Sequence, residues 1–331
     1  MDLYNNNYFQ SEEFKNLNKE IFKYDIIDTI DNKFYILRNN YIFKKNLRFS
    51  KANFGTEFKG ILEFFGQPVN LNLENYKQKL INFLQYNNEN VKNKNAGIII
   101  FRAFDIEKKE QYEEIQKVFK IENFLCRPWN TSIINLKDTN KAKLIKSYYT
   151  LREIKRMKKR NITINKIDTF KDYKLYLELF FNSYGHQHYP NKDKYYDPEA
   201  WKNLKVHHNF FIIRAENEPY AIFGVRIFNE RAYWCMVGRL KKYKYSLHAY
   251  AIDFLFEYLK ERKINYLDLT GFNPNPKNNK EESIKKFKET FNAKIIYQPT
   301  FIKDNTVFIK SLRKITNKIF STNSFADENL I

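Results

Sequence analysis

The run Asn209-Phe210-Phe211-Ile212-Ile213-Arg214, the turn Glu216-Asn217-Glu218-Pro219, the run Tyr220 to Phe228, the pair Asn229-Glu230 and the run Arg231 to Val237 decide the fold. Three stretches rich in aromatic and β-branched residues are separated by short polar breaks, which is the pattern of strands joined by turns. The two-residue break at Asn229-Glu230 is the length of a tight hairpin. The stretch therefore predicts an antiparallel three-strand meander.

Working outward, Leu247, Tyr250, Ala251, Phe254, Leu255, Tyr258 and Leu259 recur at helical spacing and make one apolar stripe. A strand over Tyr266–Leu269, a Gly/Pro/Asn-rich loop, a helix over Glu281–Phe291 and a strand over Lys294–Tyr297 follow. Upstream, Ile162–Ile164 reads as a strand. Phe170–Phe181 reads as a helix with Tyr173, Tyr176, Leu177 and Phe180 on one face, and 185–198 as loop. Thr139–Arg160 reads as one long helix.

The first part of the chain has a similar order. Phe34–Leu37 and Tyr41–Phe43 form an expected hairpin around Asn39-Asn40, and Gly60–Phe65 is a strand ended by Gly66 and Pro68. Leu73, Tyr76, Leu80 and Leu84 mark a helix, Gly97–Phe101 a buried-type strand, Lys108–Phe119 a helix, with strands near Phe124 and at Thr131–Leu136. The expectation is an α+β chain of two similar units: 1–137, a connecting helix over 138–161, a second unit over 162–300, and a C-terminal strand, amphipathic helix and tail over 301–331.

Composition narrows the function classes. The 331 residues hold 58 Lys and Arg against 38 Asp and Glu, a formal charge of +20. Lysines dominate the arginines, and Lys, Asn and Ile are abundant together, the bias of an AT-rich genome, so composition and a polyanionic partner are both open readings. The cysteines Cys126 and Cys235 are too few and too far apart for a disulfide scaffold or a cysteine zinc site. No apolar run reaches the roughly 18 residues of a membrane span, and the N-terminus lacks a signal-peptide plan. The expectation is a cytoplasmic protein.

Four local wordings go further than element order. Phe9-Gln10-Ser11-Glu12-Glu13-Phe14 stands near the N-terminus, and Thr131-Ser132-Ile133-Ile134-Asn135-Leu136 precedes a helix ending in Arg152-Glu153-Ile154-Lys155-Arg156. Tyr266-Leu267-Asp268-Leu269-Thr270-Gly271 is followed, after a loop, by Phe287-Lys288-Glu289-Thr290-Phe291. Together these resemble the Fem family, the peptidoglycan interpeptide-bridge aminoacyltransferases, and related GNAT-like N-acyltransferases. Phe14 stands where that family often has Trp, and Thr270 and Asn292 where it usually has Gly. The inserted pair of long helices of some members is missing. The resemblance implies two tandem GNAT-like units. It also implies transfer of an aminoacyl group from aminoacyl-tRNA, or of an acyl group from acyl-CoA, to an amine of a cell-envelope precursor. No tightly bound cofactor is implied.

Acyl transfer to an amine needs a positioned amine that loses a proton and a stabilised oxyanion. Lys288 occupies the position of the lysine to which the family resemblance assigns the donor or oxyanion charge; otherwise it reads as a solvated lysine beside Lys285 and Lys286. Phe287 and Phe291, four apart, read as anchors. Asp268, near the end of a strand, reads either as the group that orients or deprotonates the amine or as a carboxylate satisfied by backbone N–H groups or an arginine. Arg152, Lys155, Arg156 and Lys159 make a basic helical stripe, suited to a diphosphate or a tRNA acceptor end or simply solvated.

Gln67, in Gly66-Gln67-Pro68-Val69, resembles a precursor-facing turn of the family's first unit. Tyr184, His186 and His188 lie in one Gly- and Pro-bounded loop that either contacts substrate or packs on the surface. A third metal ligand is not evident there, and no metal is expected. His207, His208 and His248 read as isolated, and Tyr233-Trp234 as core. Arg239 opens a basic stretch to Lys244 where ordinary GNAT enzymes carry a Gly-rich pyrophosphate loop. The helical spacing of Phe308, Leu312, Ile315 and Ile319 among lysines suits an anionic membrane face or docking on the protein itself. The competing readings are therefore an aminoacyltransferase, an acyl-CoA-dependent N-acyltransferase on an amino sugar nucleotide, and a non-catalytic tRNA- or membrane-binding adaptor.

Overall fold

A computed structural model of the chain describes residues 8–21, 24–28, 33–38, 61–92, 98–183, 192–240 and 245–304, to which all structural statements refer. Over these the chain divides into two units, one drawn from 8–130 and 296–304, the other from 131–295. The expected turn at Asn39-Asn40, the loop of Tyr184, His186 and His188, the stretch 241–244 and the helix after Phe308 lie outside the described residues.

The first unit is built on β1 (Asp25–Asp28), β2 (Phe34–Arg38), β3 (Ile61–Phe65), β4 (Ile98–Arg102), β5 (Leu125–Arg127) and β13 (Thr300–Asp304), in the order β1-β2-β3-β4-β13-β5. Only β3 and β4 pair in parallel, Ile61 opposite Ile98 through Phe65 opposite Arg102. A parallel pair needs a crossover, here the helix Tyr76–Lys92. Alternation along the strands puts Leu62, Phe64, Ile99 and Phe101 on one face, where they pack with Leu80, Phe83 and Leu84 of that helix and with Ile115 and Phe119 of the helix Lys109–Ile121. Phe101 meets the rings of Phe83, Phe119 and Phe124 edge-on, the arrangement aromatic quadrupoles favour. The C-terminal strand β13 enters this sheet between β4 and β5, with Phe301 fully buried and stacked on Phe119.

The second sheet carries β6 (Asn130–Asn135), β7 (Ile162–Lys166), β8 (His208–Ala215), β9 (Glu218–Phe228), β10 (Arg231–Arg239), β11 (Tyr266–Phe272) and β12 (Lys294–Tyr297), in the order β12-β6-β11-β10-β9-β8-β7. The expected meander is β8-β9-β10. Its turns place Glu216, Asn217 and Asn229 at φ 54°, 67° and 50°, the left-handed conformations that two-residue hairpin loops need and Asn tolerates. Phe223, Val225, Ala232, Trp234, Leu267 and Leu269 belong to one core with Ile252, Leu255, Phe256 and Leu259 of the helix Leu247–Lys260. Phe210 instead meets Tyr173 and Tyr176 of the helix Phe170–Asn182 and Trp201 of the helix Pro198–His207.

Two helical expectations are corrected. The stretch read as one helix from Thr139 to Arg160 is a short 3-10 turn, Lys141–Lys143, and then a helix over Tyr148–Lys158. Asn140 and Ser147 each cap a separate start by accepting a backbone N–H. Between them Leu144 and Ile145 are buried, Ile145 bridging to Phe291. The helix Pro198–His207 has no counterpart in the sequence reading, although Asp197 caps it and Pro198 opens it. No helix of the described residues is long and apolar enough to cross a membrane.

Candidate functional site

Strands β10 and β11 run side by side for only three residue pairs, Arg231 with Tyr266 to Tyr233 with Asp268. Each continues beyond, to Arg239 and to Phe272. On its other edge β10 stays paired with β9 as far as Arg239, through a bulge between Cys235 and Gly238. A bulge bends and overtwists its strand. Here Met236 sits at φ 46°, and its carbonyl accepts a bond from the Tyr176 hydroxyl at 2.7 Å. The two strands therefore part past Tyr233 and Asp268, at the C-terminal end of a parallel pair, where α/β sheets form ligand crevices.

The β11 side of the gap is equally distorted. Thr270 adopts φ 63°, a conformation rare for a β-branched residue and costing of order 1–3 kcal/mol. This is the position where the Fem resemblance leads one to expect Gly. The turn is held from three sides. The Thr270 amide donates to Asp268 Oδ1 at 2.7 Å, and its hydroxyl donates to the Leu269 carbonyl at 2.7 Å. Lys288 Nζ donates to the carbonyls of Thr270 at 2.8 Å and Gly271 at 2.5 Å.

Lys288 belongs to the helix Asn279–Glu289, which Asn278 caps through the Glu281 amide. Glu281 is itself buried and accepts from Asn273 and from the Lys277 amide, fastening the preceding loop. The solvated reading of Lys288 does not hold: the residue is only 6% exposed, its ammonium 5.7 Å from the centre of the Phe272 ring. A buried ammonium costs several kcal/mol unless hydrogen-bonded, and the two carbonyls supply that compensation.

Asp268 is 2% exposed, and its oxygens accept from the Thr131 hydroxyl, the Thr270 amide and Arg231 Nη2, the last at 2.5 Å. Arg231 is itself 1% exposed and lies 4.7 Å from the centre of the Tyr233 ring. Of its two sequence readings, the geometry matches the carboxylate satisfied by an arginine and a backbone amide. It anchors the turn that Lys288 completes.

His248, set aside in the sequence as isolated, stands in the same neighbourhood. It is the second residue of the helix Leu247–Lys260, its ring edge-on to Trp234 at 6.2 Å and to Phe287 at 6.4 Å. Burial pushes its pKa down to about 4, with a hydrogen bond to the Gly238 backbone opposing and the Arg239 charge adding to the shift. Its Nε2 is buried with no hydrogen-bond partner among the described residues. The only sequence signal was its place just after the Ser246 cap, which does not distinguish it from an ordinary helix residue.

The remaining predicted residues are dispersed. Phe287 is half-buried beside Lys288 and meets Phe291 edge-on at 5.2 Å. Arg239 ends β10 and is exposed. Arg152, Lys155, Arg156 and Lys159 are all exposed, while Ile154 and Met157 of the same helix are buried. Tyr148 and Tyr149 start that helix 79% and 68% exposed. Gln67 lies in the first unit, buried, its side-chain amide donating to the Asp105 carbonyl. Tyr233 and Trp234 are core, as expected. No group of His, Cys, Asp and Glu among the described residues could hold a metal ion.

No protein-family model and no curated protein sequence matches this chain. Solved structures do. The chain is similar to FemX, with a TM-score of 0.60 over 88% of this chain and 91% of that one, at 11% identity. It is similar to the C-terminal domain (DUF2156) of a provisionally named lysylphosphatidylglycerol synthetase from Agrobacterium fabrum, with a TM-score of 0.58 over 97% and 94% at 8% identity. It is also similar to L-PGS from Bacillus licheniformis, with a TM-score of 0.55 over 95% and 97% at 9% identity. The fold expectation holds: two mixed sheets flanked by helices, an arrangement of two GNAT-like units.

Proposed function

We propose that the chain is an acyl- or aminoacyltransferase that forms an amide on an amine of a cell-envelope precursor, with aminoacyl-tRNA as donor. The observation that carries the reading is the buried Lys288 ammonium fixed at the end of β11, where β10 and β11 part. The acyl carbonyl would lie in that gap. A fixed cation in a site of low dielectric stabilises developing negative charge far more than one in water, and needs no reorganisation during the reaction. Lys288 would thus hold the oxyanion or a donor phosphate. Asp268 would act through the Thr270 turn, keeping the two carbonyls aimed at Lys288, so that it positions rather than deprotonates.

The exposed Arg152 and Arg156 would take phosphate oxygens of the donor, as planar guanidinium groups do. Phe287 would wall the gap, and Arg239, Tyr184, His186 and His188 would contact substrate. No resident cofactor or metal enters the scheme. Peripheral contact with the inner membrane face is part of the proposal where the acceptor is lipid-linked.

A second reading keeps the site and changes the substrates to an acyl-CoA and an amino sugar nucleotide. The parted edges of β10 and β11 favour it, because strand edges bind extended amide-bearing chains through main-chain hydrogen bonds. A thermal-shift panel at fixed low salt separates the two: charged tRNA and a UDP-linked muropeptide against CoA, acetyl-CoA and UDP-amino sugars. Stabilisation by tRNA or muropeptide alone supports the first reading. Stabilisation by CoA supports the second and makes Arg239 the next residue to mutate. RNA or liposome binding without transfer from any donor would leave a non-catalytic adaptor.

A further inference from the structure

The imidazole of His248, on a half-buried residue, has a defined protonation geometry. Its hydrogen bond to the Gly238 backbone favours the protonated ring nitrogen, so that nitrogen is the N–H donor to a carbonyl. Nε2 has no partner among the described residues, so the bonded nitrogen is Nδ1. A neutral imidazole with its proton on Nδ1 carries a bare lone pair on Nε2. Buried polar atoms are nearly always paired, and one left open asks for an explanation.

The surroundings supply it. The ring touches Trp234, the first β10 residue beyond the last pair with β11, and Phe287, the neighbour of Lys288. Gly238, which fixes Nδ1, is the residue at which β10 regains register after the bulge. It is Gly for a steric reason: a Cβ there would stand 2.7 Å from Ser183 Oγ. The helix, the bulge and the aromatic pair together hold one ring nitrogen fixed and leave the other, itself enclosed, without a partner among the described residues beside Trp234 and Phe287.

We propose that His248 Nε2 is the proton acceptor for the attacking amine, an inference that rests on the acyl-transfer reading of this site. The amine lone pair forms the new C–N bond. The bond from the acyl carbon to the leaving oxygen or sulfur breaks, and its electron pair stays with the leaving atom. The proton released from nitrogen passes to Nε2 and from there to the leaving alkoxide or thiolate, which returns the imidazole to its starting state. The negative charge develops on the acyl oxygen, where Lys288 stabilises it, and His248 carries the proton.

The test uses the full chain with p-nitrophenyl acetate as an activated acyl donor and methylamine as acceptor, following N-methylacetamide formation. His248→Gln and His248→Ala are compared with the wild type, with melting temperatures measured alongside. Wild-type acceleration over buffer, a loss of at least about tenfold in both variants at preserved folding, and recovery of His248→Ala by added imidazole are expected, within the range for general base catalysis. Equal rates in wild type and folded variants would overturn the assignment and leave the transferase reading standing. No acceleration by the wild type would overturn the transferase reading itself. If His248→Ala does not fold, the side-chain 15N spectrum of histidine-labelled wild type decides: a proton on Nε2 refutes the proposal.

Discussion

The Asp268–Arg231 pair is where the structure makes its sharpest energetic claim. Both groups are buried, 2.5 Å apart, and join β11 to the start of β10. Asp268→Asn keeps the shape and removes the charge. It leaves the Arg231 guanidinium facing a neutral amide where the carboxylate stood, and removing one charge of a buried pair costs about 3–5 kcal/mol. Arg231→Met strands the carboxylate, which keeps only the Thr131 hydroxyl and the Thr270 amide, and costs about as much. The double variant removes both charges, so it should cost little more than either single one, giving a coupling of about 3 kcal/mol. Urea unfolding reads this, with tryptophan emission as the signal. Of the three tryptophans, Trp201 and Trp234 lie in the second unit and Trp129 in the first, so Trp129→Phe isolates the relevant transition. Additive costs, or a loss below about 1 kcal/mol for Asp268→Asn, would refute the anchoring role.

Two further outcomes test the same neighbourhood. His248 titrates near 4 when folded and near 6.5 when unfolded, so the unfolded chain binds more protons between these values. Stability should therefore fall as pH drops from about 6.5 towards 4, by up to about 3 kcal/mol from this residue, and His248→Gln should flatten that part of the profile. Denaturant midpoints at pH 7, 6 and 5 check it, and an unchanged slope in the variant would contradict the neutral imidazole. At Thr270, Gly removes the left-handed strain and forfeits the hydroxyl bond to Leu269, whereas Val keeps the strain and also loses the bond. Thr270→Gly should lie within about 1 kcal/mol of wild type, and Thr270→Val about 1–2 kcal/mol below it. The reverse order in urea would show that the turn is not strained.

The meander was legible because its signals are local. Asn-rich turns and alternating Phe, Ile and Val specify β8, β9 and β10 with no need of distant partners. The chain's return to the first sheet was not, because Thr300–Asp304 shows only β propensity, and insertion between β4 and β5 is set by Phe301 filling a place under Phe119. The helix expected from Thr139 failed for a related reason. Polar and basic residues continue a helical pattern through it, but the burial of Leu144 and Ile145 overrides propensity. At the site, the run Phe287 to Phe291 pointed to Lys288, yet its neighbours Lys285 and Lys286 also fitted a solvated lysine; its burial depends on carbonyls that Thr270 turns towards it. His248 carried no readable signal, since what sets it apart is a bond to Gly238 across the bulge.

The two parted strands share one construction. Each has a left-handed residue at the gap, Met236 on β10 and Thr270 on β11, and each exposes a carbonyl that a helix side chain then satisfies. On β10 the donor is the neutral hydroxyl of Tyr176; on β11 it is the cation Lys288. A neutral donor suffices for structure, so the charge on β11 needs a chemical reason. One variant separates fold from function. Lys288→Gln can still donate to a carbonyl from its amide but carries no charge. The loss of one of two hydrogen bonds should cost about 1–2 kcal/mol, with the desolvation of the ammonium no longer opposing folding. If the ammonium stabilises an oxyanion, transfer should fall by about 10²–10³, the scale of removing one oxyanion donor. Lys288→Gln that is both stable and fully active would show that the lysine is there for the turn alone, and the oxyanion would have to be sought elsewhere along the parted strands.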